Sequence, residues 1–97
     1  MALVFEWDAA KAHANRRKHG VTFEEAATVF ANSLARIFPD PDHSSTEERE
    51  LIIGHSAKAR LLVVSFTERG LSIRLISARP ATRYERKDYE ESVGQEG

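Results

Sequence analysis

Leu61-Leu62-Val63-Val64-Ser65-Phe66 is an almost unbroken apolar run, closed four residues later by Gly70 and followed by Leu71-Ser72-Ile73-Arg74-Leu75-Ile76-Ser77. A run this short and β-branched reads as a strand covered on both faces, and Arg69-Gly70 reads as the turn into a returning strand. This hairpin must lie at the centre of whatever core the chain builds. It also carries Arg69, Arg74 and Arg79 on or beside those strands. Charges are rarely buried unpaired, so three arginines at these positions need a reason. Anion recognition is the physical candidate that suits them best, because guanidinium forks match phosphate geometry and keep their charge.

The other elements read as a frame around the hairpin. Leu3 to Trp7 is an edge-strand candidate. Asp8 is placed to cap a helix over Ala9 to Lys18, which Gly20 closes. On that helix Lys11, Asn15 and Lys18 share one stripe, with His19 at its border and an alanine-rich side expected against the sheet. Thr22 and Glu25 have capping-box spacing, opening a short second helix through Phe30. Leu34 to Phe38 reads as a short strand, stopped by Pro39-Asp40-Pro41-Asp42. From Glu47 the apolar period becomes two, predicting a strand, and Gly54 to Lys58 reads as its turn. Pro80 and the Thr82–Glu85 capping box start a last helix running to about Glu91, with residues 92–97 as a frayed tail. The expected class is α+β. One domain spans residues 1–97, with an antiparallel sheet of three to four strands, two N-terminal helices and one C-terminal helix.

Composition sets the outer limits. With 97 residues and 41% hydrophobic content, the chain supports a single modest core. It has no cysteine, so neither a disulfide framework nor a thiolate metal site is available. His13, His19, His43 and His55 show no metal-ligand spacing, and no P-loop, dinucleotide fingerprint or nucleophile elbow occurs. No metal or cofactor is therefore expected. The chain has no membrane-length apolar run and no leader, which predicts a cytoplasmic protein. A formal net charge of −1 excludes a strongly basic nucleic-acid binder. The charge is unevenly distributed, however. Lys11, Arg16, Arg17 and Lys18 gather without an acid, whereas Asp40, Asp42, Glu47, Glu48 and Glu50 stand against Arg49. Such polarity steers a polyanion to one face.

If the basic groups converge, metal-independent RNA cleavage fits them. The 2′-hydroxyl attacks its own phosphate, and the protein supplies alignment, proton transfer and cations. His19, Lys18 and Glu48 are the proton-transfer candidates. A phosphate-binding or protein-binding module would use the same arginines. Strict alternation along the returning strand places Arg74 and Arg79 on opposite faces, so one shared site requires a bulge or an early strand end.

Longer motifs add a resemblance. Phe5-Glu6-Trp7-Asp8, Lys11, Asn15, Lys18-His19-Gly20-Val21 and Phe23-Glu24-Glu25-Ala26 are similar to the opening of the BrnT family. Asp42-His43-Ser44, Glu47-Glu48-Arg49 and Ile53-Gly54 resemble its middle. Thr67-Glu68-Arg69, Ile73 to Arg79, Glu85 and Tyr89 resemble its end. The resemblance implies a RelE-like fold and a ribonuclease toxin of a type II toxin–antitoxin system. It further implies a BrnA-like antitoxin partner, RNA as substrate, and operator DNA reached through the antitoxin. The residues it carries over are Lys18, Arg69, Arg74 and Arg79, followed by His19, Glu48 and Thr67. A second reading is a family member that does not cut RNA and acts as an antitoxin-binding module in operon autoregulation. The family has tyrosine in many members where this chain has Phe66, which leaves Tyr84 as an alternative hydroxyl.

Overall fold

Leu61 begins β4 (Leu61–Arg69), the middle strand of a five-stranded sheet in the computed structural model, which describes residues 3–41 and 48–94. Antiparallel partners flank β4 on both sides, β5 (Ser72–Pro80) and β3 (Glu50–His55). That central place explains its composition: every residue from Leu61 to Thr67 is buried. β2 (Arg36–Pro39) pairs antiparallel with β3 at one edge, and β1 (Val4–Glu6) pairs parallel with β5 at the other.

The α+β class and its three helices agree with the sequence reading. The sheet has five strands where three to four were expected, and it is mixed where an antiparallel one was expected. Both short apolar runs, at Val4 and at Arg36, form strands because each supplies the hydrogen-bonding edge of a longer neighbour. β1 runs parallel because its partner is the last strand of the chain, a long-range choice on which local periodicity is silent.

Two layers cover the sheet. α1 (Ala9–His19) and α2 (Phe23–Thr28), extended by a 3₁₀ turn at Val29–Ala31, lie on one face. There Val21, Phe23, Ala26 and Val29 pack on Ile52, Leu62, Val64, Phe66, Ile73, Leu75 and Ala78. α3 (Arg83–Gly94) covers part of the other face, where Tyr89 and Val93 meet Ile53, Leu61 and Val63. Val93 is thus part of the smaller cluster. The helix accordingly continues through Ser92 to Gly94, where a frayed tail was expected. Among the described residues no helix is long and apolar enough to cross a membrane.

Local signals set the helix ends. Asp8 accepts from the Lys11 N–H at 2.9 Å, and Gly20 closes α1 at φ 70°, a conformation that glycine adopts without steric cost. The stripe of α1 that faces the sheet differs from expectation. It runs through Ala12 and Asn15, while Ala10 and Ala14 are exposed. Asn15 is the buried residue of the helix. Its Nδ2 donates to Val21 O at 2.9 Å and Ala78 O at 2.8 Å, and its Oδ1 accepts from Ala78 N–H at 3.0 Å. β1 pairs only with Ser72–Arg74, so the Asn15 amide serves the edge of β5 beyond β1's reach.

The Thr22–Glu25 box forms by half. Thr22 Oγ1 accepts from the Glu25 N–H at 3.1 Å, but the Glu25 carboxylate turns inward. It accepts from Ser56 Oγ at 2.7 Å and Arg60 Nε at 2.9 Å, and it forms an ion pair with Arg60 Nη2. Hydrogen bonding from Arg60 holds the Glu25 carboxyl below its ordinary range against the opposing effect of burial. Arg60 Nη2 also donates to Gly20 O at 3.1 Å, tying the end of α1 to the start of β4.

Candidate functional site

The geometry of the arginines turns on one residue. Ser65 pairs with Ser77 but Phe66 pairs with Leu75, so Ile76 is an extra residue in β5. A bulge of this kind resets the alternation of side chains. Ile73, Leu75 and Ala78 therefore all enter the α1–α2 core, although 75 and 78 differ in parity. Directly paired residues share a face. Arg74 lies opposite Thr67, Arg79 opposite Val63, and Arg69 opposite Ser72. With Val63 in the α3-side cluster, all three arginines are on the face turned away from α1 and α2. The bulge supplies what strict alternation denied.

The three line a track. Arg79 sits six residues along β4 from Arg69, a run of about 20 Å at ~3.3 Å per residue. Only the Val63 end of that face is covered by α3; Thr67, Arg69 and Arg74 lie beyond the α3-side cluster. One phosphate cannot meet all three guanidinium groups at that spread, whereas successive phosphates of one strand can.

Each arginine differs in its attachment. Arg74 Nη1 stands 3.7 Å from Glu6 Oε1 on β1, and both side chains are partly exposed. Arg69 is exposed beside the turn. Arg79 is held firmly, donating through Nη1 and Nη2 to Glu85 Oε1 and Oε2 at 2.7 and 2.8 Å. The same carboxylate accepts from the Thr82 N–H at 2.8 Å, and Thr82 Oγ1 accepts from the Glu85 N–H at 3.1 Å. This is the complete capping box anticipated for α3. The Arg79 fork, with help from the cap, brings the Glu85 carboxyl down from 4.5 to about 2. A carboxyl depressed on folding stabilises the fold above its ordinary pKa and loses that contribution as pH falls toward 2. Glu85→Gln should therefore show a flatter fall in melting temperature than the native chain between about pH 5 and pH 2. An unchanged acid limb, read by thermal unfolding across that range, would disprove the assignment.

Thr67 and Glu48 meet through a main-chain group. Thr67 is buried, and its hydroxyl donates to the Glu48 main-chain carbonyl at 2.8 Å. The Glu48 residue is exposed. Thr67 faces Arg74 across the ladder, so Glu48, Thr67, Arg74 and Glu6 form one neighbourhood on this face, beyond the α3-side cluster.

Lys18 and His19 lie elsewhere. They end α1, on the opposite layer, in a last turn that also holds Arg16 and Arg17. Asn15 fixes this helix against Ala78, and Lys18 lies about one turn further along it, on the layer opposite the arginine face. His43 and the motif around it fall outside the described residues. Phe66 is 1% exposed and packs edge-to-face on Phe30 with ring centroids 5.0 Å apart. A hydroxyl at that position would point into the α1–α2 core, away from the arginines. Tyr84 is 79% exposed on α3. Among the described residues no group of three His, Asp or Glu side chains gathers as a metal site requires.

Sequence reasoning missed two site partners, Glu6 and Glu85. The Thr82–Glu85 spacing located Glu85 as a cap. No local pattern announced that its carboxylate would also hold a strand arginine.

Comparison with known proteins bears on the family and the fold. Residues 7–85 match the model of a family described as the ribonuclease toxin BrnT of type II toxin–antitoxin systems. Among solved structures, the crystal structure of the Brucella abortus ribonuclease toxin BrnT is similar, with 25% identity and a TM-score of 0.65. The alignment covers 84% of this chain and all of that one. Among curated proteins none matches the sequence. With the family match spanning most of its length, the chain belongs to the BrnT family of ribonuclease toxins of type II toxin–antitoxin systems.

Proposed function

We propose that this chain is a metal-independent endoribonuclease that cuts RNA by attack of a 2′-hydroxyl on the adjacent phosphate. The observation that carries the proposal is the Ile76 bulge, which gathers Arg69, Arg74 and Arg79 onto one face beside Thr67 and Glu48. In the reaction the 2′-oxygen bonds to phosphorus while its proton leaves to a base. The bond to the 5′-oxygen then breaks, and that oxygen takes up a proton. Arg74 and Arg79 stabilise the charge that develops on the non-bridging oxygens, and Arg69 holds a neighbouring phosphate. Glu48, joined to Thr67 through its main-chain carbonyl, is the proton acceptor of this proposal, while the Glu6 carboxylate stays paired with Arg74. Lys18 and His19 stand on the α1 side of the sheet. To act on phosphate, Arg79 shares or exchanges its Glu85 partner.

A BrnA-like antitoxin is the partner that silences this activity, with operator DNA bound through the antitoxin and the whole acting in the cytoplasm. The non-catalytic alternative draws on one observation: Arg74 and Arg79 both have carboxylate partners already. The decisive measurement is cleavage of RNA by the purified protein in excess EDTA, with analysis of the product ends. The expected products carry 2′,3′-cyclic or 3′-phosphate ends. A strict metal requirement would refute the mechanism, and absence of both cleavage and growth arrest would favour the binding module. Lys18→Ala should relieve growth arrest while the protein remains folded.

A further inference from the structure

We infer that the first two turns of α3 form a second contact for single-stranded RNA, with Tyr84 as a stacking platform and Arg83, Arg86 and Lys87 as phosphate contacts. The inference rests on the ribonuclease reading and adds a surface to it. Its first ground is electrostatic. A helix dipole favours acids in the first turn and cations in the last. α3 is built the other way round, with Arg83, Arg86 and Lys87 early and Asp88, Glu90 and Glu91 behind them. The acid of its first turn, Glu85, is committed to Arg79 and to the cap. The cations gain nothing from the helix they stand on, which leaves an external anion as the group they suit.

Their surroundings point the same way. Among the described residues none of Arg83, Arg86 and Lys87 forms an ion pair, although Glu90 and Glu91 stand one turn further on. Together with Tyr84 and Glu90 these cations line a shallow concavity of about 590 Å³. The Tyr84 ring, 79% exposed, is an apolar plane held among cations. Cations beside a solvent-facing aromatic suit a single strand, since every base has a face to stack and every linkage a charge. An acidic peptide would call for the cations alone.

Position completes the case. α3 starts three residues after Pro80 ends β5, so the patch continues the arginine track past Arg79. The last turn of α1, with Arg16, Arg17 and Lys18, comes to the same end of the sheet, tied there by Asn15 to Ala78 and by Arg60 to Gly20. A strand crossing the sheet face leaves it onto α3.

The test is binding of a short 2′-O-methyl oligonucleotide, followed by fluorescence anisotropy over a salt series. Lacking the attacking hydroxyl, this strand reports binding whether or not the protein cleaves. Tyr84→Ala should weaken binding about tenfold. The double variant Arg83→Gln with Lys87→Gln should lower the slope of log K against log salt by about 0.7 per charge removed. All three side chains are exposed, so the variants keep the fold. The proposal fails if the native chain does not bind the strand. It fails equally if both variants bind with native affinity and slope, as a surface kept for a protein partner would allow. Loss of RNA cleavage with patch binding intact would count against the ribonuclease reading alone.

Discussion

Arg74→Ala is expected to lower the rate of RNA cleavage about 10²- to 10³-fold with little change in thermal stability. Both halves of that expectation come from its place on the sheet. The Arg74 side chain is partly exposed, and its carboxylate partner Glu6 is 3.7 Å away with a side chain 42% exposed. A long ion pair in contact with water contributes little to folding. The same guanidinium aimed at a phosphate in the act of gaining charge contributes much more, because its donors are already in position. Arg74→Lys should recover part of the rate, since it keeps the charge and loses the two-pronged geometry. Arg79 would be a poorer probe. Its removal also leaves Glu85 without the fork that holds it, so lost activity and lost anchoring of α3 would be confounded. The measurement is single-turnover cleavage alongside a melting curve. Native rates in both Arg74→Ala and Arg79→Lys would remove the arginine face as the active site.

Asn15→Ala should cost roughly 3–5 kcal/mol of folding stability. The side chain is buried and makes three hydrogen bonds to main-chain groups, joining α1, the loop at Val21 and the edge of β5. Alanine leaves Ala78 N–H, Ala78 O and Val21 O without those partners, and a buried polar group left unpaired costs about 1–3 kcal/mol. A small domain has only about 5–15 kcal/mol in total, so the variant should sit near the limit of folding at ambient temperature. Asn15→Asp should not rescue it. It keeps an acceptor for Ala78 N–H and sets a carboxylate against two carbonyls. Urea unfolding provides the number, and a loss below about 1 kcal/mol would show that water or a shifted backbone replaces the bridge.

Most element types were legible because their signals are local. Asp8 and Gly20 bound α1, Thr82 and Glu85 start α3, and Leu61 to Phe66 form the central strand. Each of these depends on residues a few positions apart. Where the partner is distant, the same kind of signal misled. Thr22 and Glu25 have the spacing of a reciprocal cap, yet the Glu25 carboxylate goes to Arg60, 35 residues on. Asn15 shares a helical stripe with Lys11 and Lys18, yet it is the one drawn in, by main-chain groups 63 residues away. Tertiary bonds to buried groups outweigh local pairing on an exposed helix, because burial makes an unmet polar group expensive.

The candidate site divides along the same line. By itself the sequence determined that arginines would sit on the central hairpin, and through its motifs it indicated the family that the comparison then established. The face on which those arginines point was decided only in the tertiary structure. Ile76-Ser77 carries no bulge signal of its own; the extra residue exists only relative to the register of β4. Because the side-chain period of a strand is two, one added residue moves everything beyond it to the other face. That single step puts Arg79 on the same face as Arg74, and the fold then sets Glu85 against the first and Glu6 against the second.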